Sequence, residues 1–197
     1  MPIRLSRFEM PKSVQRDENV SKGTYARFVA EPFEIGYART IGNSLRRVLL
    51  SSIEGCAICS VKIAGVNHEF CTIPGVAEDV TAIILNLKRV LLKTFTRDNN
   101  YIHLKKEGPC TVCAGDFAAE NAVEVLNPTQ EIATLEAGAV LDMACEIRTG
   151  RGFCLAEGNK TPEQEIGRIA IDSIFSPVTR VNFLVENTRV GQRTDYE

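Results

Sequence analysis

Between residues 41 and 49 the apolar positions Ile41, Leu45, Val48 and Leu49 recur at i, i+4, i+7 and i+8, the spacing that lines side chains along one stripe of an α-helix. Pro32 and Gly36 keep the lead-in out of the helix and Gly55 offers a stop, so the pattern predicts a helix of about four turns within residues 31–55. Gly42 inside that helix costs about 1 kcal/mol relative to alanine, and its expected use is close approach by another backbone. On the polar side Arg46 and Arg47 stand about 100° apart around the axis. They are either a solvated basic edge or forks for carboxylates on a partner. The helix is expected to dock through its stripe or its arginines.

Ahead of it, residues 24–33 alternate, with Tyr25, Arg27 and Val29 on one side and Ala26, Phe28 and Ala30 on the other. With the polar edge strand expected over residues 13–20, they predict a hairpin around Ser21, Lys22 and Gly23. Residues 1–12, with Pro2 and Pro11, read as a loosely ordered lead-in. After Gly55 the period changes to two, with Ala57, Cys59, Val61 and Ile63 set against Cys56, Ile58, Ser60 and Lys62, which opens a second module. Residues 68–72 are expected to form a return strand. Pro74 and Gly75 then precede a helix with Glu78 and Asp79 in its first turn, an apolar face of Val80, Ile83, Ile84, Leu87 and Leu91, and Lys88 and Arg89 at its C-terminal end. Strands are predicted over residues 90–96, 101–105, 130–135 and 140–147, parted by Asp98-Asn99-Asn100, Gly115-Asp116 and Gly138. Residues 149–152 and 158–162 bound a segment too glycine-rich for a regular element. Strands resume over residues 168–175 and 180–186, around Ser176 and Pro177.

The chain has 197 residues, 44% of them hydrophobic, enough to bury a core in one large domain or two small ones. No run of about 18 uncharged apolar residues occurs, and Arg4, Arg7 and Glu9 interrupt the start, so no membrane span or secretion signal is expected and the cytoplasm is the expected location. The net charge of −2 leaves no general basic surface for nucleic acid, and no direct DNA binding is expected.

Seven cysteines include the pairs Cys56/Cys59 and Cys110/Cys113, which together have the ligand count of a four-cysteine zinc site. A small cysteine-rich metal-binding module is therefore the alternative reading. Extended strands would aim the two sulfurs of each pair at opposite faces, so reduced thiols filling the core are expected, with no metal and no cofactor. Gly150 and Gly152 lack a following Lys-Ser/Thr and read as a turn, not a phosphate loop. His68 and His103 neighbour no nucleophile and form no metal pair, and Glu78 and Asp79 are explained by a helix N-terminus. No catalytic site is expected.

Three segments carry a family resemblance. EPFEIGYARTIGNSLRRVLLSSIEG (31–55), GVNHEFCTIPGVAEDVTAIILNLK (65–88) and IGRIAIDSIFSPVTRVNFLVENTRVGQRTDYE (166–197) resemble, in order and spacing, corresponding segments of the bacterial DNA-directed RNA polymerase alpha subunit. The resemblance implies an α+β fold: a discontinuous dimerisation domain of sheet plus docking helix (1–54 and 176–197) carrying an inserted, mostly-β domain (55–175). It implies a scaffold that dimerises and recruits the beta and beta-prime subunits, the large subunits holding the catalytic magnesium. Arg47 and Leu50, with Arg46 beside them, match beta-contact positions, and His68 and Glu69 open a neighbouring beta-contact segment reaching Gly75. Lys88 and Ile171 match positions that meet beta-prime, and Ile41, Leu45 and Leu49 fall at the dimer interface. Family members continue past the position of Glu197 with a strand, a long helix, a linker and a DNA-binding domain, so the resemblance implies a weakened homodimer for these residues alone.

Overall fold

A computed structural model describes residues 9–96, 100–119, 123–160, 165–191 and 193–197, apart from the side chains of residues 119 and 193–195. Most of the expected lead-in, Asp98 and Asn99 of one turn, and Thr161 and Pro162 of another lie outside those residues. In chain order come β1 (Gln15–Arg16), β2 (Phe28–Val29), α1 (Tyr37–Ser51), β3 (Glu54–Ile63), α2 (Val80–Leu87), β4 (Leu92–Thr94), β5 (Asn100–Glu107) and β6 (Cys110–Cys113). They are followed by β7 (Ala118–Ala119), β8 (Val123–Val125), β9 (Glu131–Leu135), β10 (Val140–Arg151) and β11 (Phe153–Cys154). The last are α3 (Ala156–Asn159), β12 (Arg168–Ala170), β13 (Ser173–Ile174), β14 (Thr188–Val190) and β15 (Arg193–Tyr196). The class is α+β, mostly antiparallel sheet, and the chain divides into two units: residues up to Leu49 with Arg180–Glu197, and Leu50–Thr179.

In the first unit β1 and β2 pair antiparallel, Gln15 with Val29 and Arg16 with Phe28, and Lys22 bridges Tyr25 across the turn. The hairpin is shorter than the alternation suggests because Phe28 and Val29 both stay exposed, leaving little apolar packing to extend the ladder. β14 pairs with β15. Phe33 and Glu197 exchange backbone hydrogen bonds of 2.7 and 2.9 Å, and the Gly36 N–H donates to Glu197 Oε2 at 3.0 Å. The start of α1 is thereby held by the far end of the chain. Residues 180–186, expected as a strand, carry no strand. Their alternation survives in burial, with Val181, Phe183 and Val185 half-buried and Asn182, Leu184 and Glu186 exposed, so side-chain packing orders this segment without a ladder.

The second unit is built on an antiparallel sheet of order β12-β3-β10-β5-β7. Register sets Val61 and Ile102 on either side of Cys145, and Ile63 and Leu104 on either side of Met143. These side chains form one core with Val80, Ile83 and Leu87 of α2. Strict alternation in β3 fails: Ile58, Cys59, Ser60 and Val61 are all buried. A β-bulge is the cause, because Glu146 pairs with Ser60 and the next residue, Ile147, with Ile58, which leaves Cys59 as the extra residue. Ile58 then joins Val61 in the core, while the Cys59 sulfur accepts from Ser173 Oγ at 3.3 Å.

Other expectations are corrected in detail. The helix stop is not Gly55: α1 ends at Ser51 and Gly55 lies inside β3. β10 runs through Gly150 to Arg151, so Gly150 is no turn residue. It pairs with Gly55, and this glycine pair is required by Phe175, whose carbonyl crowds Gly55 and whose ring would lie 2.8 Å from a Cβ on Gly150. Residues 68–72 contain no strand. Asp79 is the N-cap of α2, its Oδ1 accepting the Ala82 N–H at 2.7 Å, whereas Glu78 turns away to accept from the Thr134 N–H and hydroxyl at 2.6 and 3.1 Å. Leu91 falls beyond the helix and is exposed. The strand expected over residues 168–175 breaks into β12 and β13 around Ile171 and Asp172.

Candidate assembly surfaces

α1 carries six of the candidate positions, and none of its residues is buried. Ile41, Leu49 and Leu50 are half-buried, Arg46 and Arg47 exposed. Leu45 and Val48 are 54% and 53% exposed. A stripe predicted by periodicity is therefore present but largely uncovered. Beside the stripe, Gly42 is closely approached: a methyl group in place of hydrogen would meet the Phe183 ring at 2.6 Å. The close approach expected there is real, but it is made by an aromatic side chain and not by backbone. Thr40 and Ser44 turn their hydroxyls back to the Gly36 and Thr40 carbonyls at 3.4 and 2.9 Å, which satisfies them within the helix.

His68 and Glu69 lie on an exposed loop fastened to the start of α2. The Thr81 hydroxyl donates to the Glu69 carbonyl at 3.0 Å, and the Val80 N–H donates to the Cys71 carbonyl at 3.2 Å. Cys71 Sγ sits 3.3 Å from His68 Nδ1. Between His68 and Cys71 the loop presents Phe70, 80% exposed, a side chain that no periodicity argument selects because the loop has no period.

Lys88, just past the other end of α2, lies about 12 Å of helix rise from that loop. Its Nζ pairs with Asp172 Oδ2 at 3.0 Å, and Asp172 Oδ1 also accepts the Ala156 N–H at 2.8 Å. These two donors, the Ala156 N–H foremost, hold the Asp172 carboxyl below the usual carboxylate range. Lys88 and residue 171 are thus brought together, but Ile171 itself is 1% exposed. Its side chain is a core group, and any partner contact at this position passes through its neighbours. Beside it, Phe153 and Ile174 face each other across β11 and β13 and are both exposed.

The seven cysteines are free thiols. Cys56 and Cys59 lie on β3 and Cys110 and Cys113 on β6, strands that belong to different sheets. Burial pushes the Cys145 thiol up to about 12 and raises those of Cys59 and Cys56. Among the described residues no group of three or more His, Cys, Asp or Glu is placed to hold a metal ion, and no helix is long and apolar enough to cross a membrane.

The sequence model of the RNA polymerase Rpb3/RpoA insert domain matches residues 61–176. The chain is 52% identical over 189 residues to the DNA-directed RNA polymerase subunit alpha of Alkaliphilus metalliredigens (strain QYMF), covering 96% of this chain and 60% of that protein. It is 51% identical to those of Alkaliphilus oremlandii (strain OhILAs) and Desulfitobacterium hafniense (strain DSM 10664 / DCB-2), with 96% of this chain and 59% and 60% of the relatives covered. The chain therefore spans about three fifths of the length of the curated relatives it matches. With a matching domain over most of the second unit and identity above one half along nearly all of its length, the chain belongs to the bacterial RNA polymerase alpha-subunit family.

Proposed function

We propose that this chain is an assembly scaffold of a cytoplasmic DNA-directed RNA polymerase, dimerising and recruiting the beta and beta-prime subunits for transcription. It contributes no catalytic group of its own, and nucleotidyl transfer belongs to the large subunits. The segments 1–54 and 176–197 serve dimerisation and assembly, and 55–175 is the inserted domain. Beta is received by Arg46, Arg47 and Leu50 on α1 and by the His68–Glu69 loop. Beta-prime is met at Lys88, with Ile171 supporting that surface from beneath. Ile41, Leu45 and Leu49 line the dimer interface.

One observation carries this reading: a 15-residue helix without a single buried residue, although its sequence is amphipathic. A helix of that kind is held by tertiary packing of its apolar face, and a partner supplies what the described residues do not. Arg47 offers a planar fork for a carboxylate and Leu50 a short apolar anchor. The test is co-purification of the tagged chain with the two large subunits. Arg47→Ala should leave the circular dichroism unchanged and weaken recovery of beta, since truncating one partner of a desolvated charge pair costs about 2 to 5 kcal/mol. Undiminished recovery of beta would remove Arg47 from the docking surface.

A further inference from the structure

Among the described residues Glu146 is the one buried charge, 5% exposed in the middle of β10, and the assembly surfaces do not use it. Its two oxygens serve different elements. Oε1 accepts from Arg148 Nε at 2.8 Å and pairs with Nη2 at 2.7 Å. Oε2 accepts from the Ser60 hydroxyl at 2.9 Å and from Arg168 Nη1 at 3.5 Å.

Each arginine leads to one end of the same short segment. Arg168 is the first residue of β12, and its guanidinium also lies over the Tyr101 ring, 5.6 Å from the centroid. Arg148 Nη1 donates to the Asn159 carbonyl at 3.5 Å. Asn159, itself buried, turns its Nδ2 to the Ile171 carbonyl at 2.7 Å and to Ser173 Oγ at 2.9 Å. Residues 168 and 171–173 are thus tied to one carboxylate by two routes, and between those ties Asp172 meets Lys88.

A buried ion pair is weak ground for stability, because desolvation offsets much of the attraction. What a fully satisfied buried network supplies is a single geometry. We propose that Glu146 is a positioning residue: it fixes both ends of the 168–173 segment so that Asp172 holds Lys88 in place on the surface assigned to beta-prime. The purpose of that surface rests on the assembly reading above, whereas the positioning itself does not.

Hydrogen exchange on the full chain separates the two. In Glu146→Gln, which keeps the shape but removes the charge, amides of residues 169–173 should exchange at least tenfold faster, while those of α2 and β5 keep their rates. Capture of beta-prime should fall at least tenfold and capture of beta should not change. Asn159→Ala cuts one route only, and it should free residues 171–173 while residues 169 and 170 stay protected. This variant decides the matter if Glu146→Gln does not fold. Unchanged exchange over 169–173, or acceleration shared by every strand, would overturn the proposal. If Lys88→Ala left beta-prime capture intact, the assignment of that surface would fall, and the exchange data would still decide whether Glu146 positions it.

Discussion

At Gly42 a single hydrogen separates a packed residue from a clash. The Phe183 ring occupies the space of the missing Cβ at 2.6 Å, so Gly42→Ala sets a helix-propensity gain of up to about 1 kcal/mol against overpacking of about 1–3 kcal/mol. The rigid ring makes overpacking the larger effect, and urea denaturation should show net destabilisation. Gly42→Ala combined with Phe183→Leu should lose less than the two single changes summed, and strict additivity would disprove the contact. The sequence reveals that something approaches Gly42, because glycine in a helix has few other uses. It cannot reveal what, since Phe183 lies far along the chain in a segment with no ladder. The thiols of Cys59 and Cys145 are both fully buried. Thiol titration should find them silent in the native protein and reactive in denaturant, whereas labelling of both under native conditions would mean that the sheet opens.

Elements whose pattern is local are legible in the sequence, and those shaped by distant partners are not. The period of Ile41, Leu45, Val48 and Leu49 lies within one helix and predicts α1 directly. The alternation in β3 misleads because the bulge opposite Glu146 and Ile147 is a property of the pairing. The strand predicted over residues 168–175 breaks where Asn159 takes the Ile171 carbonyl, an interaction with no local signature. The resemblance assigns Lys88 and residue 171 to one surface, yet the structure puts the charge that meets Lys88 on the half-buried Asp172 and the apolar side chain of Ile171 in the core. Asp172 yields a test with a defined sign. Its carboxyl is held below the usual range, first by the Ala156 N–H and then by Lys88, so its stabilisation is present above the ordinary carboxylate pKa of about 3.9 and is lost as pH falls through the lower folded value. Asp172→Asn should be less stable than the parent at neutral pH, and the difference should shrink on acidification below about pH 4. A difference that stayed constant across paired urea titrations would mean that the charge of Asp172 contributes nothing.

For the molecule as a whole, no local pattern shows that the two ends of the chain fold together, yet Phe33 and Gly36 bind Glu197 across 161 positions in the latter case. The resemblance implies a discontinuous first domain, because it compares whole arrangements and not windows. The stripe of α1 is legible, and the self-association proposed for it can be tested in solution. Leu45 and Val48 stay just over half exposed, and since burying a fully exposed side chain of this kind is worth about 1.5–3 kcal/mol, covering what remains is worth roughly half of that for each. Their burial against a second copy therefore favours self-association, while the small net charge of −2 opposes it little. Sedimentation over a concentration series near about 100 μM should show reversible self-association. Leu45→Asn should suppress it with a change in unfolding free energy within about 0.5 kcal/mol, as for an exposed position in the monomer. Because the contact is apolar, raising salt to about 0.5 M should not weaken it, although the same salt would screen an association held by Arg46 and Arg47. If the parent stayed monomeric throughout, or if Leu45→Asn associated equally well, the stripe would not be the surface through which two copies meet.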